Sequence, residues 1–188
     1  IVASWQSGLL RVWDAVAARP GNNVLAHLDC NPVTPGSFTI DSTGGRLFVI
    51  IESDDSPEIE IMELVMIDIS SGSIRRNISY GLNVSWRNIE YDEASDLIFA
   101  IEFSQATCNR TVNSCTFPSA QSSLISLSPK TGVKQRVTDL PAAPRMALTT
   151  YNRRDSVFFY VLQASTDVQR ISLELGQPAQ HLWPIKIG

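Results

Sequence analysis

The stretch Glu63–Phe103, ELVMIDISSGSIRRNISYGLNVSWRNIEYDEASDLIFAIEF, holds four short runs in which apolar and polar residues alternate. A Ser-Gly pair, a glycine-bearing segment and an acidic segment separate these runs, and such residues are typical of turns. Alternation with a period of two predicts half-buried strands rather than helices. The stretch therefore predicts four consecutive antiparallel strands, and with them an all-β fold.

The same order of runs and turns returns along the chain, in the approximate repeats 1–52, 63–103, 123–163 and 167–188. Two sets of dipeptides occupy equivalent positions in the repeats, each at the end of a predicted strand. One set is Trp13-Asp14, Ile67-Asp68, Leu127-Ser128 and Ile171-Ser172. The other set is Ile40-Asp41, Tyr91-Asp92 and Tyr151-Asn152. Successive members lie 44 to 60 residues apart, the period of a four-stranded propeller blade with insertions. We expect residues 1–188 to form a single β-propeller domain or segment with about four blades.

Three motifs carry a resemblance to known propeller repeats. LVMIDISSGSI (64–74) and SLISLSPKTGVK (123–134) resemble the hairpin of WD40- and YVTN-type β-propellers, in which Asp or Pro and a Thr/Ser-Gly pair follow a strand. LLRVWDA (9–15) resembles the strand that gives WD40 repeats their name. The Gly-His dipeptide of WD40 blades is absent, so a YVTN- or NHL-like extracellular propeller is the closer likeness. The resemblance implies four-stranded antiparallel blades arranged around a channel.

The predicted connections differ between the two ends of a blade, whose strands we count from a to d outwards from the channel. The a–b and c–d turns are tight, as at Ser71-Gly72. The b–c connections Ser53–Met62 and Ser104–Ser122 are predicted to be long loops. Because binding residues concentrate on the variable loops of rigid scaffolds, we expect a protein or glycan partner to bind at the b–c end.

Three Asn-x-Ser/Thr sequons lie within 35 residues, at Asn77, Asn83 and Asn109. They predict N-linked glycans and an extracellular, secreted protein. Cys108 and Cys115 enclose six residues, which we interpret as a disulfide loop in an oxidising compartment. Cys30 is left over, either as a buried free thiol or as a partner of a cysteine outside this segment or on another chain. The chain begins at Ile1 rather than Met, so we expect a processed or partial product.

Charge and hydropathy argue against two classes of partner. The net charge is −4, and Arg75-Arg76 and Arg153-Arg154 are the largest basic clusters, so we expect no nucleic-acid partner. No apolar run approaches the ~18 residues that a membrane-spanning helix needs, so we expect no membrane span.

We expect no active site built from the acidic residues and the histidines. The acidic run between Glu52 and Glu63 lacks the spaced pattern of a calcium loop, so we expect a solvated loop. Four aspartates end predicted strands and are expected to cap turns through side-chain hydrogen bonds: Asp14, Asp41, Asp68 and Asp92. His27 and His181 fall on outer strands of different blades and are expected to be structural.

Two further sets of residues are candidate binding groups. Propeller lactonases hold a cation on channel-facing Glu, Asn and Asp residues, and Glu90, Asp92 and Asn152 are the candidates for that role in this sequence. The four tryptophans, Trp5, Trp13, Trp86 and Trp183, fall about one to a blade, where aromatic residues usually form the core. For Trp86 the alternative is stacking against a carbohydrate.

These observations predict a secreted, N-glycosylated β-propeller that acts as a non-catalytic binding or assembly module without a cofactor. One alternative is a self-assembling extracellular structural glycoprotein, since an open propeller edge and Cys30 permit head-to-tail contacts. Another alternative is a metal-dependent propeller hydrolase.

Overall fold

The computed structural model describes most of the chain, in twelve ranges: 2–6, 9–14, 19–27, 38–56, 59–80, 84–104, 107–109, 114–116, 122–140, 148–161, 166–174 and 177–186. All regular elements within these ranges are β-strands. The chain divides into two compact units, Ile1–Leu82 and Asn83–Gly188, and each is described by itself.

Seven strands lie in the first unit: β1 (Val2–Gln6), β2 (Leu9–Asp14), β3 (Arg19–His27), β4 (Phe38–Asp41), β5 (Arg46–Ser56), β6 (Ile59–Asp68) and β7 (Ile74–Tyr80). Ten strands lie in the second: β8 (Val84–Asp92), β9 (Leu97–Ser104), β10 (Thr107–Asn109), β11 (Ser114–Thr116), β12 (Ser122–Leu127), β13 (Lys134–Leu140), β14 (Leu148–Asn152), β15 (Val157–Val161), β16 (Asp167–Ser172) and β17 (Gln180–Lys186).

Three sheets have four strands each, in the orders β4-β5-β6-β7, β8-β9-β12-β13 and β14-β15-β16-β17. A fourth sheet, β1-β2-β3, has three strands, and β10 pairs only with β11. Every neighbouring pair is antiparallel. The predicted all-β class and the four-stranded antiparallel sheets are therefore confirmed.

Two segments predicted as turns or loops are strands. The predicted loop Ser53–Met62 is wrong, because β5 and β6 remain paired as far as Ser56 and Ile59. Ile59 and Ile61 continue the period-two pattern of β6, and β-branched residues favour a strand. Residues 19–21, Arg-Pro-Gly, have the composition of a turn, and the turn that this composition predicts is also wrong, because β3 begins at Arg19. β3 is an edge strand, and an edge strand tolerates Pro20.

The core of the second unit lies between its two four-stranded sheets. Phe99, Ile101 and Leu124 of the β8–β13 sheet pack in one buried cluster with Phe158 and Tyr160 of the β14–β17 sheet. Leu140 and Ile171 complete the cluster. Burial of this apolar surface is the main force that holds the two sheets face to face.

One turn recurs at the end of the first strand of each four-stranded sheet. Asp41, Asp92 and Asn152 end β4, β8 and β14, and in each sheet the second strand begins five residues later. The residue just before that second strand has a positive φ in every case: 63° at Gly45, 51° at Asp96 and 51° at Ser156. The three turns therefore share one backbone conformation.

Polar side chains at the strand ends hold these turns. Asp41 Oδ1 accepts from the Gly44 N–H at 2.8 Å. Asp92 accepts from the N–H groups of Ala94 and Ser95, both at 3.3 Å. The predicted capping role is confirmed for Asp41 and Asp92, while the Asp14 side chain lies outside the description.

Asn152 acts in the same way, since its Oδ1 accepts from the Arg154 N–H at 3.0 Å. The turns after the third strands follow a similar plan. Asp68 accepts from the N–H groups of Ser70 and Ser71 at 2.9 Å, which confirms its predicted role, and Ser128 Oγ accepts from the Thr131 N–H at 3.2 Å.

A tyrosine accompanies the two turns that lack glycine at the positive-φ position. Tyr91 donates its hydroxyl to Asp96 Oδ1 at 2.8 Å, and Tyr151 is hydrogen-bonded to Ser156. In the first unit the corresponding pair is Ile40 with Gly45. A positive φ is unfavourable for residues other than glycine, and we infer that the tyrosine hydrogen bond offsets this penalty.

The same substitution, Tyr to Phe, should have opposite effects at two buried positions. Tyr91→Phe removes the bond to Asp96 and should lower the free energy of unfolding by about 1 kcal/mol. The Tyr160 hydroxyl is buried and has no hydrogen-bond partner among the described residues, so Tyr160→Phe should raise this free energy by about 1 kcal/mol. Urea denaturation measures both values, and shifts of equal sign would contradict the assignment.

Candidate functional site

The two ends of the four-stranded sheets are built differently. One end, which we name the capped-turn end, carries the short turns held by Asp41, Asp68, Asp92, Ser128 and Asn152. The other end carries the connections between second and third strands, and we name it the ribbon end. In the β4–β7 and β8–β13 sheets, the ribbon end bears additional antiparallel structure.

In the first unit, β5 and β6 extend past the described parts of β4 and β7 as a two-stranded ribbon. Among the described residues, β4 pairs with β5 as far as Phe38 opposite Val49, and β7 pairs with β6 as far as Tyr80 opposite Met62. β5 and β6 remain paired with each other beyond these positions, as far as Ser56 opposite Ile59. Six acidic residues and no basic residue occur between Glu52 and Glu63, so the ribbon is strongly acidic.

In the second unit, the hairpin β10–β11 lies between β9 and β12 in the chain, within the predicted connection Ser104–Ser122. Cys108 of β10 is directly opposite Cys115 of β11. Residues directly opposite in an antiparallel pair have Cα atoms about 4.5 to 5.5 Å apart, and disulfides span Cα distances of about 4.4 to 6.8 Å. The register therefore brings the two predicted disulfide partners to a suitable backbone spacing.

The predicted glycosylation sites are distributed over two strands. Asn77 lies in the edge strand β7, opposite Val65, and Asn109 is the last residue of β10. Asn83 and Cys30 lie outside the described residues. Asn109 thus lies in the connection between β9 and β12.

The structure does not gather the three candidate cation ligands into one site. Asp92 and Asn152 turn their side-chain oxygens to the backbone of their own turns. Glu90 lies instead beside Thr149 and Arg153. Within the described ranges, no three His, Cys, Asp or Glu residues form a group that could hold a metal ion.

The position of Glu90 follows from a β-bulge in β8. Arg87 pairs with Ile101 and Glu90 with Phe99, so two residues of β8 face one residue of β9. Asn88, inside the bulge, has a positive φ of 55°. Bulges redirect the side chains that follow them.

Burial raises the pKa of the Glu90 carboxyl to about 7, although the Arg153 charge and a hydrogen bond with Thr149 act in the opposite direction. Arg153 also lies 3.7 Å from the Glu93 carboxylate. The sequence indicates Glu90 as a candidate site residue but does not indicate Thr149 or Arg153 as its neighbours. The only sequence signal for them is their place next to Tyr151, the equivalent of Tyr91.

The histidines and tryptophans are predicted from the sequence to have structural roles. His181 lies on the outer strand β17, and its Nε2 is 3.2 Å from Thr138 Oγ1 on β13. Trp86 is buried and donates its Nε1–H to Glu102 at 2.8 Å, so it is a core residue and has no free face for a carbohydrate. Trp183 is 88% exposed, so the prediction that it belongs to the core is wrong.

The remaining members of these two sets are known only by their backbone positions. His27, Trp5 and Trp13 lie on β3, β1 and β2. In the part of the chain that is described, no helix is long and apolar enough to cross a bilayer.

Comparison with known proteins gives a likeness of fold. No protein-family profile matches the sequence, and no curated protein matches it. Among solved structures, hydrazine synthase of Kuenenia stuttgartiensis is similar, with a TM-score of 0.63 and 13% sequence identity over 89% of this chain. The matched region is 47% of that chain, so this sequence spans less than half of its length. At this identity the likeness concerns the fold alone.

The ionisation of Glu90 should make stability depend on pH. The carboxyl has a reference pKa of 4.5 and a pKa of about 7 in the folded chain, so the folded state binds the proton more tightly. The contribution of Glu90 to stability is therefore fully present below pH 4.5 and is lost as pH rises through 7. Glu90→Gln removes this loss. The free energy of unfolding of the variant minus that of wild type should therefore increase by about 1 to 3 kcal/mol from pH 4 to pH 8.

Denaturant unfolding at several pH values measures this difference. Glu174→Gln, which removes an exposed carboxyl outside the group of Glu90, Glu93 and Arg153, is the matched control. The difference between the two variants isolates the effect of burial. A constant offset between Glu90→Gln and wild type across this pH range would contradict the assignment.

Proposed function

We propose that this chain is a segment of a secreted, N-glycosylated β-propeller that binds partners through the ribbon ends of its sheets and catalyses no reaction. The observation that carries the proposal is the contrast between the two ends of the sheets. Short capped turns occupy one end, while an extended ribbon and a cysteine-bearing hairpin occupy the other. Such additions to a regular scaffold are typical of binding surfaces.

The propeller arrangement is supported by the repeated sheet. Three sheets have the same four-strand antiparallel order, and their first turns share one register and one backbone conformation. In the second unit, two of these sheets pack face to face through a shared apolar cluster. Packing of successive four-stranded sheets face to face is the plan of a propeller.

The extracellular location is supported by the hairpin β10–β11. A short hairpin gains stability from a cross-link, and Cys108 and Cys115 lie directly opposite each other in β10 and β11, at a backbone spacing that a disulfide can span. Asn109 would place a glycan at the end of β10, and Asn77 would place one on the edge strand β7. Glycans on edge strands and hairpins also hinder unwanted strand pairing.

The chemistry of the partner follows from the acidic ribbon. Six carboxylates without a basic residue between Glu52 and Glu63 favour a partner with a basic surface. In the second unit, the connection between Ser104 and Ser122 contains Arg110 as its one charged residue. We propose that the ribbon ends of both units bind protein partners, and that a basic patch on a partner is the match for the acidic β5–β6 ribbon.

Shortening the hairpin should remove binding without unfolding the sheet. Residues 105–121 are replaced by Asn-Gly, which favours a tight turn between β9 and β12, since Phe103 and Ser122 are already paired. We expect the far-UV circular dichroism to stay unchanged and the partner captured from the extracellular fraction to be lost. Lys130→Ala, in an exposed turn at the capped-turn end, is the control and should keep the partner.

Intact mass under non-reducing conditions accompanies this comparison. Wild type should carry three glycans and lack two hydrogens for the Cys108–Cys115 bond, and the shortened variant should lack both the bond and the Asn109 glycan. Retention of the partner by the folded variant would contradict the proposal. Wild type that sediments as an oligomer without a partner would instead favour the self-assembling structural glycoprotein, through the exposed Trp183 and Ile185 on β17.

A further inference from the structure

A pocket of about 300 Å³ opens between the two four-stranded sheets of the second unit, and we name it the inter-sheet pocket. It lies at the capped-turn end, so it is separate from the ribbon end. The turn 93–96 and the strands β9, β12 and β13 form one wall, while the other is formed by Ser156, Leu173, Glu174, Gln177 and Ala179. Its volume is at the small end of the range for ligand pockets, about 300 to 1,000 Å³.

The floor of the inter-sheet pocket is apolar. Leu97, Val137, Leu173 and Ala179 are partly buried and pack against the core cluster that contains Phe99. All five residues line the pocket. Binding of an apolar group to this accessible apolar surface is favourable, because burial of apolar surface releases water.

The walls of the pocket are held by hydrogen bonds that exist without a ligand. Asp92 Oδ2 accepts from the Ser95 hydroxyl at 2.6 Å, which fixes one turn. The Leu173 N–H donates to the Ser156 carbonyl at 2.7 Å, which fixes the opposite wall. A preformed pocket loses little conformational entropy when a ligand binds.

Three polar side chains of the lining make no side-chain hydrogen bond within the described residues: Ser126, Gln135 and Gln177. Ser126 is buried, with 6% of its surface exposed, and its hydroxyl belongs to the pocket wall. A hydroxyl and two amides that are not committed to the protein can donate to a ligand or accept from it.

The charged groups of the lining are both acidic. Asp92 and Glu174 line the pocket, and the lining contains no lysine or arginine. Asp92 is engaged in its turn, whereas Glu174 is exposed at the rim. A pocket with only negative charges disfavours carboxylate and phosphate ligands and attracts a cation.

We propose that the inter-sheet pocket binds a small organic amine, with its apolar body on the Leu97–Phe99 floor and its ammonium group near Glu174. Gln135, Gln177 and Ser126 hydrogen-bond the polar groups of the ligand. The proposal does not depend on the ribbon end, because the pocket is complete without it.

The test uses three probes with the same ring and different charge: 2-phenylethylamine, 2-phenylethanol and phenylacetate. Each is titrated into the full chain, and amide resonances are followed by NMR. We expect the amine to shift the resonances of Ser126, Gln135, Val137 and Leu173 with a dissociation constant on the order of 1 mM. The alcohol should bind about threefold more weakly, and phenylacetate should bind most weakly.

Variants at exposed positions separate the contributions without disturbing the core. Glu174→Gln should remove the preference for the amine over the alcohol, and Gln135→Ala should weaken both probes about threefold. Gln180→Ala, an exposed glutamine outside the pocket, is the matched control and should leave all affinities unchanged.

Two results would overturn the proposal. One is the absence of shifts at these residues with every probe at ~10 mM, which is tenfold above the expected dissociation constant. The other is binding of phenylacetate as strong as that of the amine, which would contradict the cationic class. Resonance shifts spread evenly over the surface would also overturn the proposal, because they would indicate no specific binding at the pocket.

Discussion

The structure depends on short polar side chains that end the strands and bind the backbone of the turn that follows. The turn after the first strand needs a residue of positive φ before the second strand begins, and this conformation is unfavourable unless something holds it. Asp41, Asp92 and Asn152 hold it by accepting hydrogen bonds from backbone N–H groups.

Burial of these carboxyl groups does not prevent the capping role. Although burial alone would raise the pKa of Asp41, the bonds from Gly44 and Arg46 lower that pKa below its usual value. At Asp68, hydrogen bonds from Ser70 and Ser71, together with the nearby Arg75 charge, lower the pKa well below its usual range.

Because of these caps, the two ends of each sheet differ in structure. At the capped-turn end, backbone groups are satisfied within four or five residues, so the walls of the inter-sheet pocket are already formed. At the ribbon end, β5 and β6 remain paired as far as Ser56 opposite Ile59, and the hairpin β10–β11 lies in the connection between β9 and β12. The capped turns and the added antiparallel pairs are thus separated along the strands, and many proteins present binding segments on rigid sheets in this way.

The sequence predicted the parts of the fold that local chemistry determines. Alternation predicted the strands, and Asp, Asn and Gly at fixed spacing located the turns of Asp41 and Asp92. It did not predict where the β5–β6 ribbon ends, because an acidic segment such as residues 52–63 is equally compatible with a loop until cross-strand pairing is known. The bulge that displaces Glu90 depends on register with β9, and the exposure of Trp183 depends on its edge position in the sheet. The inter-sheet pocket depends on the packing of two sheets, which no single stretch encodes.

The capping account is tested most directly at Asp92, since Asn152 shows that an amide can hold the equivalent turn. The free energy of unfolding is measured by urea denaturation for wild type, Asp92→Asn and Asp92→Ala. The account predicts that the asparagine variant stays within about 0.5 kcal/mol of wild type, while the alanine variant loses about 1 to 2 kcal/mol. Equal losses in both variants, or no loss in the alanine variant, would contradict the claim that side-chain caps hold these turns.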